Sequence, residues 1–147
     1  LPPEYVALSS IDQKVGDSPV DPTYANIKRP KIVIPWMEDD PGLTGSQLWV
    51  NRSLEHAEAA KNYSAEGLLG IHWRTAQVWP QISAIAQKPW NPDLKSPELW
   101  TAWTTAQFGA DAATTAKIAA VHKILLFILI CNIYIQGLHV AMNIIKL

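Results

Sequence analysis

The chain has 147 residues, 12 Lys and Arg against 13 Asp and Glu, a formal net charge of −1 and 48% hydrophobic residues. That length suits one domain with a real core, and the scattered basic residues offer no field for nucleic acid or an anionic membrane surface. A single cysteine, Cys131, excludes an intrachain disulfide framework, and its apolar neighbours in sequence point to a buried, inert thiol.

Residues 1–30 hold Pro2, Pro3, Pro19, Pro22 and Pro30 with few apolar clusters, and read as an extended arm with little regular structure. Lys31-Ile-Val-Ile34 follows, a β-branched run expected to form a buried strand. It ends in an acidic, Pro/Gly-punctuated loop, Pro35-Trp36-Met37-Glu38-Asp39-Asp40-Pro41-Gly42. From Thr44 or Ser46 to about Ala65 the pattern turns helical, with Leu48, Leu54, Ala57 and Lys61 on or near one face.

Gly67-Leu-Leu-Gly-Ile71 is the second expected strand, opening into a polar and aromatic mouth, His72-Trp73-Arg74-Thr75. Gln77 to Lys88 is expected to be helical, with Pro80 in its first turn. After a Pro-rich linker, Pro89 to Lys95, Ser96-Pro97-Glu98 starts a helix with Ser96 as its cap and Pro97 just inside, and Gly109 stops it after Phe108. Asp111 then caps a further alanine-rich helix towards His122. Strand, loop, helix, strand, loop, helix implies parallel strands with the functional loops gathered at one side.

The segment 124–145 lacks Asp, Glu, Lys, Arg and Pro and is flanked by Lys123 and Lys146. Its length matches a bilayer span of about 20 residues. Asn132, Gln136, His139 and Asn143 fall on one helical stripe within it. A membrane anchor, a buried amphipathic helix and a segment foreign to the rest all remain open. The organisation is thus an arm at 1–30, an α/β domain at 31–121 and an apolar tail at 122–147.

Two residue sets can carry chemistry. Glu38, Asp39 and Asp40 sit where a strand ends, and strand alternation places Trp36, Glu38 and Asp40 on one side. Glycoside hydrolysis needs two carboxyl groups about 5 to 9.5 Å apart. A contiguous Glu-Asp-Asp supplies one of these or binds sugar hydroxyls; a solvated acidic turn explains it equally well. His72, Trp73 and Arg74 form the second set: an indole face for stacking, a guanidinium for bidentate bonds, an imidazole for donation or proton transfer. All seven tryptophans lie between Trp36 and Trp103, which as a group favours a ligand-stacking surface. Histidine and cysteine spacings give no metal site, and no phosphate loop appears, so no cofactor is expected.

Val78-Trp-Pro-Gln-Ile-Ser-Ala-Ile-Ala-Gln-Lys-Pro-Trp90 resembles the W-P-R-x-x-A-x-A-E-x-x-W segment of the beta-N-acetylhexosaminidase family of glycoside hydrolases. Trp79, Pro80, Ser83, Ala84, Ala86 and Trp90 match or nearly match, with Gln81 and Gln87 in place of Arg and Glu. Ile71-His-Trp73 is similar to the family's strand-end tryptophan. The resemblance implies the C-terminal part of a (β/α)8-type barrel, about two βα units of a fold that needs about 250 residues. It implies a carbohydrate substrate. The expected site is Glu38 and Asp39 as catalytic carboxylates, with Trp36, Asp40, His72, Trp73 and Arg74 against the sugar. Such a chain is expected to be inactive alone. A noncatalytic carbohydrate-binding or membrane-anchored module is the alternative.

Overall fold

The computed structural model describes residues 2, 4–9, 20–38, 48–73, 78–109, 111, 113–118 and 120–121. The fold is mixed α/β. Three short parallel strands, β1 (Ala7–Leu8), β2 (Lys31–Val33) and β3 (Gly67–Leu68), form one sheet in the order β1-β2-β3. Ala7 pairs with Lys31, Ile32 with Gly67 and Val33 with Leu68. The β2–β3 pairing resumes beyond the strands, where Trp36 and Ile71 form a parallel bridge. Among the described residues, α1 (Val50–Asn62) lies between β2 and β3, and α2 (Trp79–Gln87) and α3 (Ser96–Phe108) follow β3. Residues 113–118 are helical as well.

The expected arm at 1–30 is more structured than its composition suggested. It contributes β1, whose Ala7 and Ser9 N–H groups donate to the carbonyls of Pro30 and Ile32 at 2.8 and 3.0 Å. It also contributes a 3-10 helix, Pro22–Asn26, capped by Asp21, which accepts the Thr23 N–H at 2.8 Å. Two residues are too few to show a period, so β1 is set by the partner strand and not by its own pattern. Tyr24 explains why the arm stays put. Its ring is buried with Val20, Val33 and Ala60, and its hydroxyl proton is shared between the carbonyls of Ala7 at 2.7 Å and Ile32 at 2.8 Å.

Side-chain alternation divides the sheet into two faces. Ala7, Val33 and Leu68 pack with Tyr24 and Ala60, so α1 covers their side. A Cβ added at Gly70 would lie 2.5 Å from Met37 Cε and 2.9 Å from Ile85 Cδ1, so α2 approaches on that same side. Alternation puts Val6, Leu8 and Leu69 on the opposite face, where all three are exposed. A second apolar cluster ties the helices to one another through Val50, Leu54, Ala84, Leu94, Leu99 and Trp100. Full burial of one such side chain, Leu99, stabilises by roughly 2 kcal/mol.

The helix ends follow local chemistry. α1 begins at Val50, later than the expected Thr44 or Ser46; Leu48 and Trp49 are not helical, and residues 44–47 lie outside the described set. Leu54 and Ala57 of the expected face are buried, while Lys61 is exposed. α1 stops at Asn62, short of Ala65, because Ser64 turns left-handed at φ 55°. The Ala65 N–H reaches back to the Ala60 carbonyl at 2.8 Å and the Ser64 N–H to that of Lys61 at 3.1 Å. This is a Schellman closure with serine where glycine is usual.

α2 has Pro80 in its first turn, as expected. In α3 the first helical residue is Ser96. The cap is Lys95 and not the expected Ser96; Lys95 is extended and donates its N–H to Glu98 Oε2 at 3.0 Å. Gly109 ends α3 in the left-handed region at φ 60°. Asp111 accepts the Thr114 N–H at 2.7 Å, as expected of a cap, and these Thr114 bonds hold its carboxyl below the usual carboxylate range. Among the described residues no helix is long and apolar enough to cross a membrane. The segment 124–145 lies outside them.

Candidate functional site

The strands point their C-terminal ends at the Pro35–Glu38 and Ile71–Trp73 segments, where parallel α/β sheets carry chemistry. The register of β2 and β3 continues here. The Met37 N–H donates to the Ile71 carbonyl at 3.0 Å, and the Ile71 N–H to the Pro35 carbonyl at 3.2 Å. One residue further on, Glu38 Oε2 accepts the backbone N–H of Trp73 at 2.6 Å. Glu38 is 1% exposed and Trp73 is 61% exposed. A closed-off carboxylate therefore holds the backbone of a residue whose indole faces solvent. A 2.6 Å bond to a buried carboxyl oxygen suits a brace at a strand end.

Trp36, bridged to Ile71, is half-buried. Its carbonyl accepts from Arg52 Nη1 at 3.4 Å, a long bond. Its indole Nε1 is buried with no hydrogen-bond partner among the described residues. His72 is half-buried beside Trp73. The structure thus brings Trp36, Glu38, His72 and Trp73 to neighbouring strand ends. Asp39, Asp40 and Arg74, the other expected site residues, lie outside the described set.

Three supporting residues were not singled out from the sequence. Arg52, on α1, is buried; its guanidinium lies 4.1 Å from the centre of the Trp49 ring as well as reaching Trp36. Trp49 and Arg52 are three residues apart, a spacing at which helical side chains meet, so this stack had a local signal. His56, one helical turn on, bonds through Nδ1 to the Arg52 carbonyl at 2.8 Å. Burial pushes its imidazole below its ordinary value, against the raising effect of that bond. Gln81 of α2 is fully buried and donates from Nε2 to the Met37 carbonyl at 3.3 Å. It stands where the resembled motif has arginine, and it ties α2 to the end of β2.

Among the described residues no group of three or more His, Cys, Asp or Glu is placed to hold a metal ion. What the described arrangement offers chemically is an exposed aromatic face and a half-buried imidazole in one short strip, with the Glu38 carboxyl buried beneath them as a brace. Compared with known proteins, the chain matches no protein-family model, no curated protein and no solved structure.

Proposed function

We propose that this chain is a sector of a glycoside hydrolase of (β/α)8 type, hexosaminidase-like, whose strand ends bind a sugar ring. The single observation that carries the proposal is the bond from Trp73 N–H to Glu38 at 2.6 Å, which sets an exposed indole beside a carboxylate on adjacent strand ends. Trp73 is the stacking platform, with Trp36, His72, Arg74 and Asp40 around the ring. Glu38 and Asp39 are the candidate catalytic carboxylates, their partner lying on a strand outside this chain. The sequential parallel order β1-β2-β3, with α1 and α2 on one face, supports a barrel sector. In a barrel the strands follow their chain order and the inner face packs against other strands.

The near-complete burial of Glu38 favours a second reading, a carbohydrate-binding module without catalysis. There Glu38 only fixes the Trp73 loop. Two measurements separate the readings. The chain labelled with 5-fluorotryptophan is titrated with chitotetraose, and the Trp73 fluorine resonance is assigned with Trp73→Phe. A shift of that resonance is expected under both readings, and an unmoved Trp73 overturns both. Hydrolysis of a chromogenic N-acetylglucosaminide, by this chain joined to further strands of its barrel and lost in Glu38→Gln and Asp39→Asn, is expected of the enzyme alone.

A further inference from the structure

The chain holds two Asn-x-Ser triplets, Asn51-Arg-Ser53 and Asn62-Tyr-Ser64, the acceptor pattern for N-linked glycosylation. Such triplets arise by chance, so the pattern alone decides nothing. In a folded chain the asparagine amide and the hydroxyl two residues on must both meet the transferase. α1 carries one triplet at each end, and the two ends differ.

At the start of α1, Asn51 is exposed, but the rest of its triplet is closed. Arg52 is buried with its guanidinium over the Trp49 ring, and Ser53 is fully buried. Ser53 Oγ donates to the Trp49 carbonyl at 3.1 Å, and the Ser53 N–H donates to the same carbonyl at 3.0 Å. Val50 and Leu54 on either side belong to the helical core cluster. Freeing the Ser53 hydroxyl requires drawing this turn out of the core, at the loss of that apolar burial.

At the other end the triplet is open. Asn62 is the last residue of α1, Ser64 has already left the helix at φ 55°, and both are exposed. Among the described residues no hydrogen bond holds the Asn62 carboxamide or the Ser64 hydroxyl. Tyr63 between them packs against the cluster of Tyr24 and Ala60, so the turn is anchored by its middle residue while its neighbours face out. Asn62 borders a cavity of about 100 Å3 with Lys61 and Pro92, and Ser64 borders one of about 400 Å3 with Lys28 and Glu66. An attached sugar meets open space on both sides, as a bulky surface group requires. Lys31 Nζ donates to the Tyr63 carbonyl, which fixes the triplet beside the first residue of β2. The strand-end strip lies at the other end of the strands, clear of it.

We infer that Asn62 is an N-glycosylation site of the folded chain and that Asn51 is not. The co-substrate is a lipid-pyrophosphate-linked oligosaccharide. Asn62 Nδ2 forms a bond to the anomeric carbon of its first sugar and loses one proton. The bond from that carbon to the pyrophosphate oxygen breaks, and the lipid pyrophosphate leaves with the electron pair. The inference goes beyond the proposed function and shares no residue with it.

The folded full chain is incubated with a single-subunit oligosaccharyltransferase and that lipid-linked donor, then read by intact mass and by peptide mass spectrometry. One oligosaccharide per chain is expected, attached to Asn62. It is expected to persist in Asn51→Gln and to be lost in Asn62→Gln. Ser64→Gly is expected to lose it as well, since the hydroxyl is gone while the left-handed turn is eased. The melting transition of Ser64→Gly, measured alongside, is expected to be retained, so that its loss of the glycan is not a loss of fold. A wild-type chain left unmodified overturns the inference. Modification at Asn51, alone or together with Asn62, overturns it too, as does a glycan retained in Ser64→Gly.

Discussion

Glu38 Oε2 accepts the backbone N–H of Trp73 at 2.6 Å, joining residues 35 positions apart across the ends of β2 and β3. Because Glu38 is buried, its loss is not made good by water. Glu38→Ala is expected to destabilise the chain by about 1–3 kcal/mol, and Glu38→Gln by less, since an amide oxygen still accepts. Midpoints of urea unfolding measure both. An alanine variant as stable as wild type contradicts the bracing role.

Lys88 and Glu58 form a pair 3.7 Å apart whose members have unequal weight. The lysine is buried and holds two loop carbonyls, while the carboxylate is 59% exposed. Lys88→Met is expected to cost about 1–3 kcal/mol, because the Pro92 and Leu94 carbonyls lose that donor. Glu58→Ala is expected to change stability by no more than about 0.5 kcal/mol. Thermal unfolding of the two single variants tests the asymmetry.

His56 makes stability depend on pH. Its folded pKa is depressed from 6.5, chiefly by burial, so below that value the unfolded chain binds more protons than the folded one. The contribution is present in full above 6.5 and is lost as pH falls from there towards the folded value. Unfolding free energy measured across that window is expected to rise with pH in wild type. In His56→Gln the rise is expected to be shallower.

Gly70 sits where β3 meets Met37 and Ile85, at 2.5 and 2.9 Å from an added Cβ. Both obstacles are the ends of flexible side chains. Gly70→Ala is therefore expected to cost only about 1 kcal/mol, while Gly70→Val is expected to cost more through overpacking. Equal costs in denaturant titrations show that backbone conformation, and not space, sets the requirement for glycine.

The elements legible in the sequence were those whose signals are local. α3 runs over Ser96–Phe108 as its proline, Glu98 and Gly109 foretell, and Asp111 caps the helix after it. Lys31–Val33 and Gly67–Leu68 lie within the two expected strands. What local pattern cannot carry is pairing at a distance. β1 is two residues long and exists because β2 offers it partners. Glu38 and Trp73 each stood out in the sequence, but nothing in either segment announces their bond. In sequence Glu38 is a loop carboxylate, solvated or reactive, and its 1% exposure comes from the tertiary fold. Tyr24 likewise looks like one aromatic in a proline-rich arm until its hydroxyl meets two strand carbonyls.

The Schellman closure after α1 leaves the chain room for improvement. Ser64 holds a left-handed conformation in which its own Cβ crowds the backbone, a penalty on the order of 1 kcal/mol for most residues and absent in glycine. Ser64→Gly removes that crowding, at the expense of a more mobile unfolded chain. A higher melting temperature in Ser64→Gly is the expected net result. The position is remote from Glu38 and Trp73 in sequence and shares no described bond with them. It is a place to make the protein hardier for structural work while leaving the proposed strand-end sugar surface as it is.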